Sequence, residues 1–171
     1  MKTINLSLSG LKLLQPKVWH DERGFFCECY RETLYKELGD FVQTNHSYSK
    51  KGVLRGMHFQ KNHTQAKLVT VLEGKIFDVA LDMRRDSPTF GKWEGVYLDS
   101  EKHEQLFIPP GFAHGFCVVS EGAHVLYKVS TIYDPETEKG FAYNDLDIPW
   151  PVPNPILSKK DQEAPRFSEV V

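Results

Sequence analysis

Short apolar runs bounded by glycine, proline, aspartate or serine recur along almost the whole chain, and this punctuation constrains the fold more than any other feature. Gly24–Tyr30, Lys67–Leu72, Lys75–Leu81, Glu94–Leu98, Gln105–Ile108, Phe116–Val119 and His124–Thr131 are each too brief for a core helix, and turn residues separate them. Their spacing predicts a sandwich or barrel of strands. One segment competes: Leu34, Tyr35 and Leu38 recur at helical spacing and Gly39 follows as a stop, so Glu32–Leu38 is expected to be helical. The opening MKTINLSLSGLKLL alternates roughly as a strand does. Lys12 interrupts its apolar stretch and no small-residue cleavage site follows, so it is not read as a secretory leader. After Trp150, the prolines Pro151, Pro153 and Pro155 predict an extended tail from about residue 151, with one turn of helix within Ser158–Ala164.

A length of 171 residues suits one domain spanning 1–171, and 40% hydrophobic with 26% charged residues places it among ordinary globular proteins. A net charge of -2 gives no bulk attraction to nucleic acid or an anionic membrane. Any phosphate recognition must therefore come from a few local cations. No stretch approaches the roughly 18 uncharged apolar residues of a membrane span. Cys27, Cys29 and Cys117 are odd in number, which favours packing thiols in a reducing cytoplasm over a disulfide framework.

Within Val53–Gln60, Arg55 and His58 interrupt a run that otherwise reads as a buried strand. Burying an unpaired cation is costly, so both must find partners or work. They differ in parity, and a regular strand would aim them at opposite faces. For both to line one cavity a bulge or twist must lie between them, and Gly56 is the expected place. Along His124–Thr131 the same rule puts Val125, Tyr127 and Val129 on one apolar face.

Ile108-Pro109-Pro110-Gly111-Phe112-Ala113-His114-Gly115-Phe116 resembles the second motif of the cupins, in which a Pro-x-Gly turn presents a histidine to the cavity. The resemblance implies an all-β, cupin-type double-sheet β-barrel (a jelly roll) with short peripheral helices and a ligand at its mouth. The first cupin motif supplies His-x-His and a later Glu to a metal. Here Gln60 stands at the second histidine position, and the next histidine, His63, lies in a polar turn. A full ligand set does not assemble from these places, so no metal and no other cofactor is expected. His58 is then the natural proton carrier, because an unperturbed imidazole titrates near pH 6.5. It needs an orienting carboxylate, and inversion of a carbon needs a second acid on the opposite face.

The chain also resembles the dTDP-4-dehydrorhamnose 3,5-epimerase family, through words running from near its start to its tail. They include Asp21–Phe26, Phe41–Ser47, Val53–Gln60, Lys67–Val69, Phe77–Asp82, Ser87–Gly91, Ile108–Phe116, Leu126–Lys128 and Leu157–Asp161. What this implies is inversion of C3 and C5 of dTDP-4-dehydro-6-deoxy-D-glucose to give dTDP-4-dehydro-L-rhamnose. By the same resemblance His58 takes the proton beside the 4-ketone, Asp161 pairs with His58, Lys67 sits near the enolate oxygen and Tyr127 donates from the other face. Arg23, Glu28, Gln43, Asn45, Arg55 and Lys160 are assigned to the nucleoside diphosphate, with Glu138 nearby and His114 at the sugar. Arg23 and Glu28 belong in the family to a strand exchanged with a second subunit, which implies a homodimer.

Each of these residues has a plainer reading. Tyr127 taken alone is a core tyrosine bonded to a carbonyl, and His114 a turn histidine bonded to backbone. Asp78 and Asp82 read as paired structural carboxylates inside the barrel. His20, His46, His63, His103 and His124 receive no role, and Lys50-Lys51 reads as a solvated turn. Ala66 stands where the family commonly has glycine, and residues 134–147 look altered near Glu138. These departures leave room for a single-site epimerase or ketoisomerase on a related nucleotide sugar. A metal-dependent oxygenase using His58, His63 or His114 and a non-catalytic sugar-binding cupin are further alternatives.

Overall fold

A computed structural model describes residues 1–61 and 64–171, so His63 lies outside the described residues. In chain order the strands are β1 (Lys2–Asn5), β2 (Lys12–Gln15), β3 (Val18–Asp21), β4 (Gly24–Cys27), β5 (Gln43–Lys50), β6 (Leu54–Gln60) and β7 (Lys67–Glu73). There follow β8 (Lys75–Asp82), β9 (Trp93–Asp99), β10 (Gln105–Ile108), β11 (Phe112–Val118), β12 (Gly122–Val129) and β13 (Glu138–Gly140). Among the described residues three short helices accompany them: α1 (Glu32–Tyr35), continued by a tight turn at Lys36–Leu38, α2 (Lys159–Gln162) and α3 (Phe167–Val170). No helix among the described residues is long and apolar enough to cross a membrane.

The strands form a six-stranded sheet in the order β1-β2-β10-β7-β12-β5 and a five-stranded sheet in the order β13-β6-β11-β8-β9. Their inner faces meet over Val69, Val71, Leu106 and Ile108 from the first sheet and Ile76, Ala80, Phe112 and Phe116 from the second. Each such side chain contributes about 1.5–3 kcal/mol by leaving water. This is the double-sheet jelly roll, with short peripheral helices. The outer face of the five-stranded sheet is covered as well: Met57, Phe77, Val79 and Leu81 pack beneath Ile148, Trp150 and Phe167 from the C-terminal segment. That double coverage explains why β8 reads as a nearly continuous apolar run. On the outside of the six-stranded sheet, Tyr35 of α1 closes over Leu14, Leu68 and Phe107, its hydroxyl donating to Gln105 Oε1 at 2.8 Å.

The main departures from expectation are at strand ends and in one polar strand. Gly24–Tyr30 stays extended only to Cys27, pairing with β3 in an exposed hairpin. The strand expected at Phe116 starts at Phe112, because Phe112–Val118 pairs residue for residue with Asp82–Ile76. Gln43–Lys50 carries almost no apolar signal, yet it is an edge strand in full register with β12. Its inward side chains line a cavity rather than a core. The three cysteines are free thiols.

The bulge expected at Gly56 is present. His58 lies across from His114 and Arg55 across from Phe116, so β6 spends an extra residue between them and the register shifts. Gly56 has φ +133°, and a Cβ there would stand 2.5 Å from the Gly115 Cα. Glycine alone allows this close backbone approach.

Candidate active site

A cavity of about 570 Å³ opens where the edge of the six-stranded sheet parts from β6 of the other. That volume lies within the range of small-molecule sites. Gln43, Asn45 and Ser47 of β5, Lys67 of β7 and Tyr127 of β12 form one wall. Arg55 and His58 of β6 and His114 of β11 form the other. Tyr133, Glu138 and the tail residues Ile156, Ser158 and Asp161 make the rim.

The tail reaches the rim by joining the sheet. Ile156 bridges Val53 in parallel, and its N–H and C=O bond Gly52 O at 2.8 Å and Leu54 N at 3.0 Å. Ser158 then caps α2 and also donates from its hydroxyl to Asp161 Oδ2 at 2.9 Å. This fixes a buried carboxylate, 6% exposed, whose Oδ1 lies 2.6 Å from His58 Nε2. Burial opposes ionisation of Asp161, but the His58 ring, Ser158 and the Lys160 charge together hold its carboxyl below the usual range. An ionised Asp161 accepts a hydrogen bond from Nε2–H and leaves Nδ1 with its lone pair, the tautomer suited to a base.

The remaining groups are electrostatically distinct. Burial lowers Lys67 to about 8, against resistance from Asp78 and Glu138, so its ammonium charge is poised near neutral pH. Burial raises Tyr127 above its ordinary value, partly offset by Arg55, so its hydroxyl keeps its proton at pH 7. No hydrogen bond to another described residue occupies that hydroxyl, which removes the plainer reading of a carbonyl-bonded core tyrosine. Tyr127 packs against the core cluster that holds Val125, and alternation along β12 puts Val129 on the same face.

His114 is not a turn histidine bonded to backbone: it sits within β11, and its Nε2 lies 2.9 and 3.0 Å from the two oxygens of Asp78. The Pro110-Gly111 turn ends before it because the strand begins at Phe112. Asp82 is structural, bonded by Arg84, Ser87 and Thr89. Among the described residues no three His, Cys, Asp or Glu side chains gather as a metal site.

Arg55 lines the cavity with its Nε donating to Ser49 Oγ at 2.9 Å. Gln43 and Asn45 are bonded to each other at 2.8 Å, and Gln43 also accepts from Tyr133 N at 3.1 Å. Burial of Glu138 is outweighed by bonds from Lys160 and from the Tyr133 hydroxyl, which hold its carboxyl below its ordinary value. Lys160 thus stands at the rim through Glu138. Arg23 and Glu28 do not reach this cavity. Arg23 pairs with Asp21 at the tip of the β3–β4 hairpin, and Glu28 pairs with Arg31 at 3.1 Å. Sequence reasoning missed Ser158, whose place three residues before Asp161 is a capping signal, and Ser47, readable only from alternation with Gln43 and Asn45. It also missed Tyr133 and the Asp78–His114 contact, for which no local signal exists.

A family model described as dTDP-4-dehydrorhamnose 3,5-epimerase matches residues 5–169. The dTDP-4-dehydrorhamnose 3,5-epimerase of Shigella flexneri is 47% identical over 174 residues, covering 98% of this chain and 96% of that one. The protein of that name from Neisseria gonorrhoeae is 52% identical over 94% of this chain, which spans 51% of the Neisseria protein's length. A crystal structure of a dTDP-6-deoxy-D-glucose-3,5-epimerase from Legionella pneumophila, in complex with dTDP-4-keto-L-rhamnose, superimposes with a TM-score of 0.95. It is 47% identical, and the match covers 99% of this chain and 94% of that one.

Proposed function

The chain belongs to the dTDP-4-dehydrorhamnose 3,5-epimerase family, and from that premise we propose how its cavity inverts C3 and C5 of dTDP-4-dehydro-6-deoxy-D-glucose to give dTDP-4-dehydro-L-rhamnose. His58 Nδ1 removes the proton beside the 4-ketone, and the electron pair moves to the ketone oxygen as an enolate. Asp161 steadies the imidazolium that results. Lys67 supplies a fixed positive charge to the enolate oxygen. Tyr127 returns a proton to the same carbon from the opposite face, and the tyrosinate and imidazolium then exchange protons with solvent. A shift or flip of the ring brings the second carbon to the same pair. The observation that carries this reading is the 2.6 Å His58–Asp161 contact on one wall of a cavity whose facing wall holds Tyr127. The ketone itself acidifies both positions, so the scheme uses no cofactor.

Arg55 and Lys160 suit the diphosphate, as a forked donor and a point charge respectively. Gln43 and Asn45 suit the edge of a pyrimidine, His114 the sugar, and Glu138 holds Lys160 in place. Arg23 and Glu28 lie on and beside a hairpin that leaves Trp19, Phe25 and Phe26 exposed. We assign these two residues to the cavity of a second subunit, which makes the working form a homodimer. Residues 1–171 then act as one cupin unit, in the cytoplasm, on a nucleotide sugar rather than on nucleic acid or a membrane.

The test is incubation of metal-free protein with dTDP-4-keto-6-deoxyglucose in heavy water, with deuterium located by NMR. Incorporation at both C3 and C5 is the expected result. Incorporation at C3 alone would make this a monoepimerase. Exchange that appears only on adding a metal, or full activity in His58→Ala, would overturn the mechanism.

A further inference from the structure

Asp78 lies on β8 in the row Ile76, Asp78, Ala80 that faces the core between the sheets, and it is wholly shielded from solvent (0% exposed). A carboxylate in such a place needs both hydrogen bonds and a compensating charge. Its hydrogen bonds come from His114 on the neighbouring strand β11, with Nε2 within 3.0 Å of both oxygens. Burial holds His114 below its ordinary value although Asp78 pulls the other way, so the ring is neutral at pH 7. A neutral ring donates one hydrogen bond and brings no charge.

The compensating charge comes from the facing sheet. Lys67 opens β7 opposite, and of the two carboxylates that oppose its loss of a proton Asp78 acts more strongly than Glu138. The other titratable groups around this floor are His58 on β6, Tyr127 on β12 and Glu138 on β13. His58 already has its own carboxylate, Asp161, and Glu138 is committed to Lys160 and Tyr133. Asp78 is left with one ring to orient and one ammonium to keep charged.

We propose that Asp78 is a positioning residue for the epimerisation: its buried charge keeps Lys67 protonated, and its bond to Nε2 fixes the His114 tautomer whose Nδ1 accepts from a sugar hydroxyl. This rests on the reading of Lys67 as the counter-charge of the enolate. Its consequence is an alkaline limit on turnover set by Lys67 and held up by Asp78.

Asp78→Asn keeps the shape and an acceptor oxygen for His114 while removing the charge. Two readouts are taken across pH: C3 deuterium exchange, and the Lys67 resonance in ¹³C-lysine protein, assigned with Lys67→Arg. In the unaltered protein Lys67 titrates at about 8 and exchange falls as pH rises through that value. In Asp78→Asn both are expected about one pH unit lower, with exchange recovering on the acid side. An unmoved Lys67 titration overturns the proposal, because loss of packing alone lowers the rate without moving that titration. If Lys67 moves and the exchange profile does not, the coupling to Asp78 stands and the enolate role of Lys67 falls. Asp78→Ala supplies a second test that does not need Asp78→Asn to fold: it also removes the charge, so the Lys67 resonance must again titrate lower than in the unaltered protein, and no change there refutes the proposal.

Discussion

Gly56→Ala tests the geometry that lets Arg55 and His58 share a cavity. At φ +133° an L residue is strained by about 1–3 kcal/mol. The new Cβ would lie 2.5 Å from the Gly115 Cα and 3.0 Å from the His114 carbonyl oxygen, and both are main-chain atoms that no rotamer change can remove. Forcing β6 and β11 apart adds about 1–3 kcal/mol of overpacking. Alanine returns about 0.4–1 kcal/mol by restricting the unfolded chain. The net loss is about 1–5.5 kcal/mol, up to a large share of the roughly 5–15 kcal/mol that holds a typical domain folded. Urea unfolding followed by tryptophan fluorescence should show a lower midpoint at constant slope. The thermal midpoint should fall by about 2–20 °C for a chain of this size. The same displacement moves His58 relative to His114, so kcat should fall in protein that remains folded. A loss below about 1 kcal/mol would mean that the close approach at Gly56 and Gly115 is not needed, and the argument for the bulge would fail.

Asp161→Asn should lower the exchange rate by about 10²–10⁴-fold, since the amide neither fixes the His58 tautomer nor balances its charge. Native carboxyl titration below the ordinary 3.8 means that Asp161 stabilises the fold above that pH and ceases to as pH falls through the native value. Unfolding free energies of Asp161→Asn and the parent should therefore differ most near neutrality and converge in acid. Tyr127→Phe should retain deuterium uptake at C3 while losing inverted product, and equal loss of both would remove it as the acid of the opposite face. Stability of the parent relative to Lys67→Met should rise as pH climbs from about 8 towards 10.5, where Lys67 has shed its proton in the native protein but not in the unfolded chain, and calorimetry at pH 7 and pH 9.5 measures it.

Periodicity made the barrel readable because most strands bury one or both faces, as Lys75–Asp82 does. It failed at Gln43–Lys50, where the inward positions are Gln43, Asn45, Ser47 and Ser49, so that a strand lining a cavity resembles a polar loop. Parity conflict between Arg55 and His58 located the bulge, since Gly56 was the one residue between them that could bend the strand freely. The pairing of His58 with Asp161 was readable only through family resemblance, because 103 residues separate the two and no local pattern encodes the contact. Asp78 and His114 were each visible, but their meeting depends on the register of β8 against β11. Arg23 and Glu28 look like site residues in sequence and lie elsewhere in the single chain.

The tail that carries Asp161 also sets an order of assembly. Every strand of both sheets among the described residues precedes it in the chain, so a chain emerging from synthesis builds the vessel before the carboxylate that meets His58 arrives. Closing so distant a contact is among the last and slowest acquisitions of a folding chain. On the proposed mechanism turnover is thereby reserved for molecules in which α2 has docked, and loss of the segment beyond Ile156 should yield a barrel that holds nucleotide more weakly, for want of Lys160, and catalyses nothing.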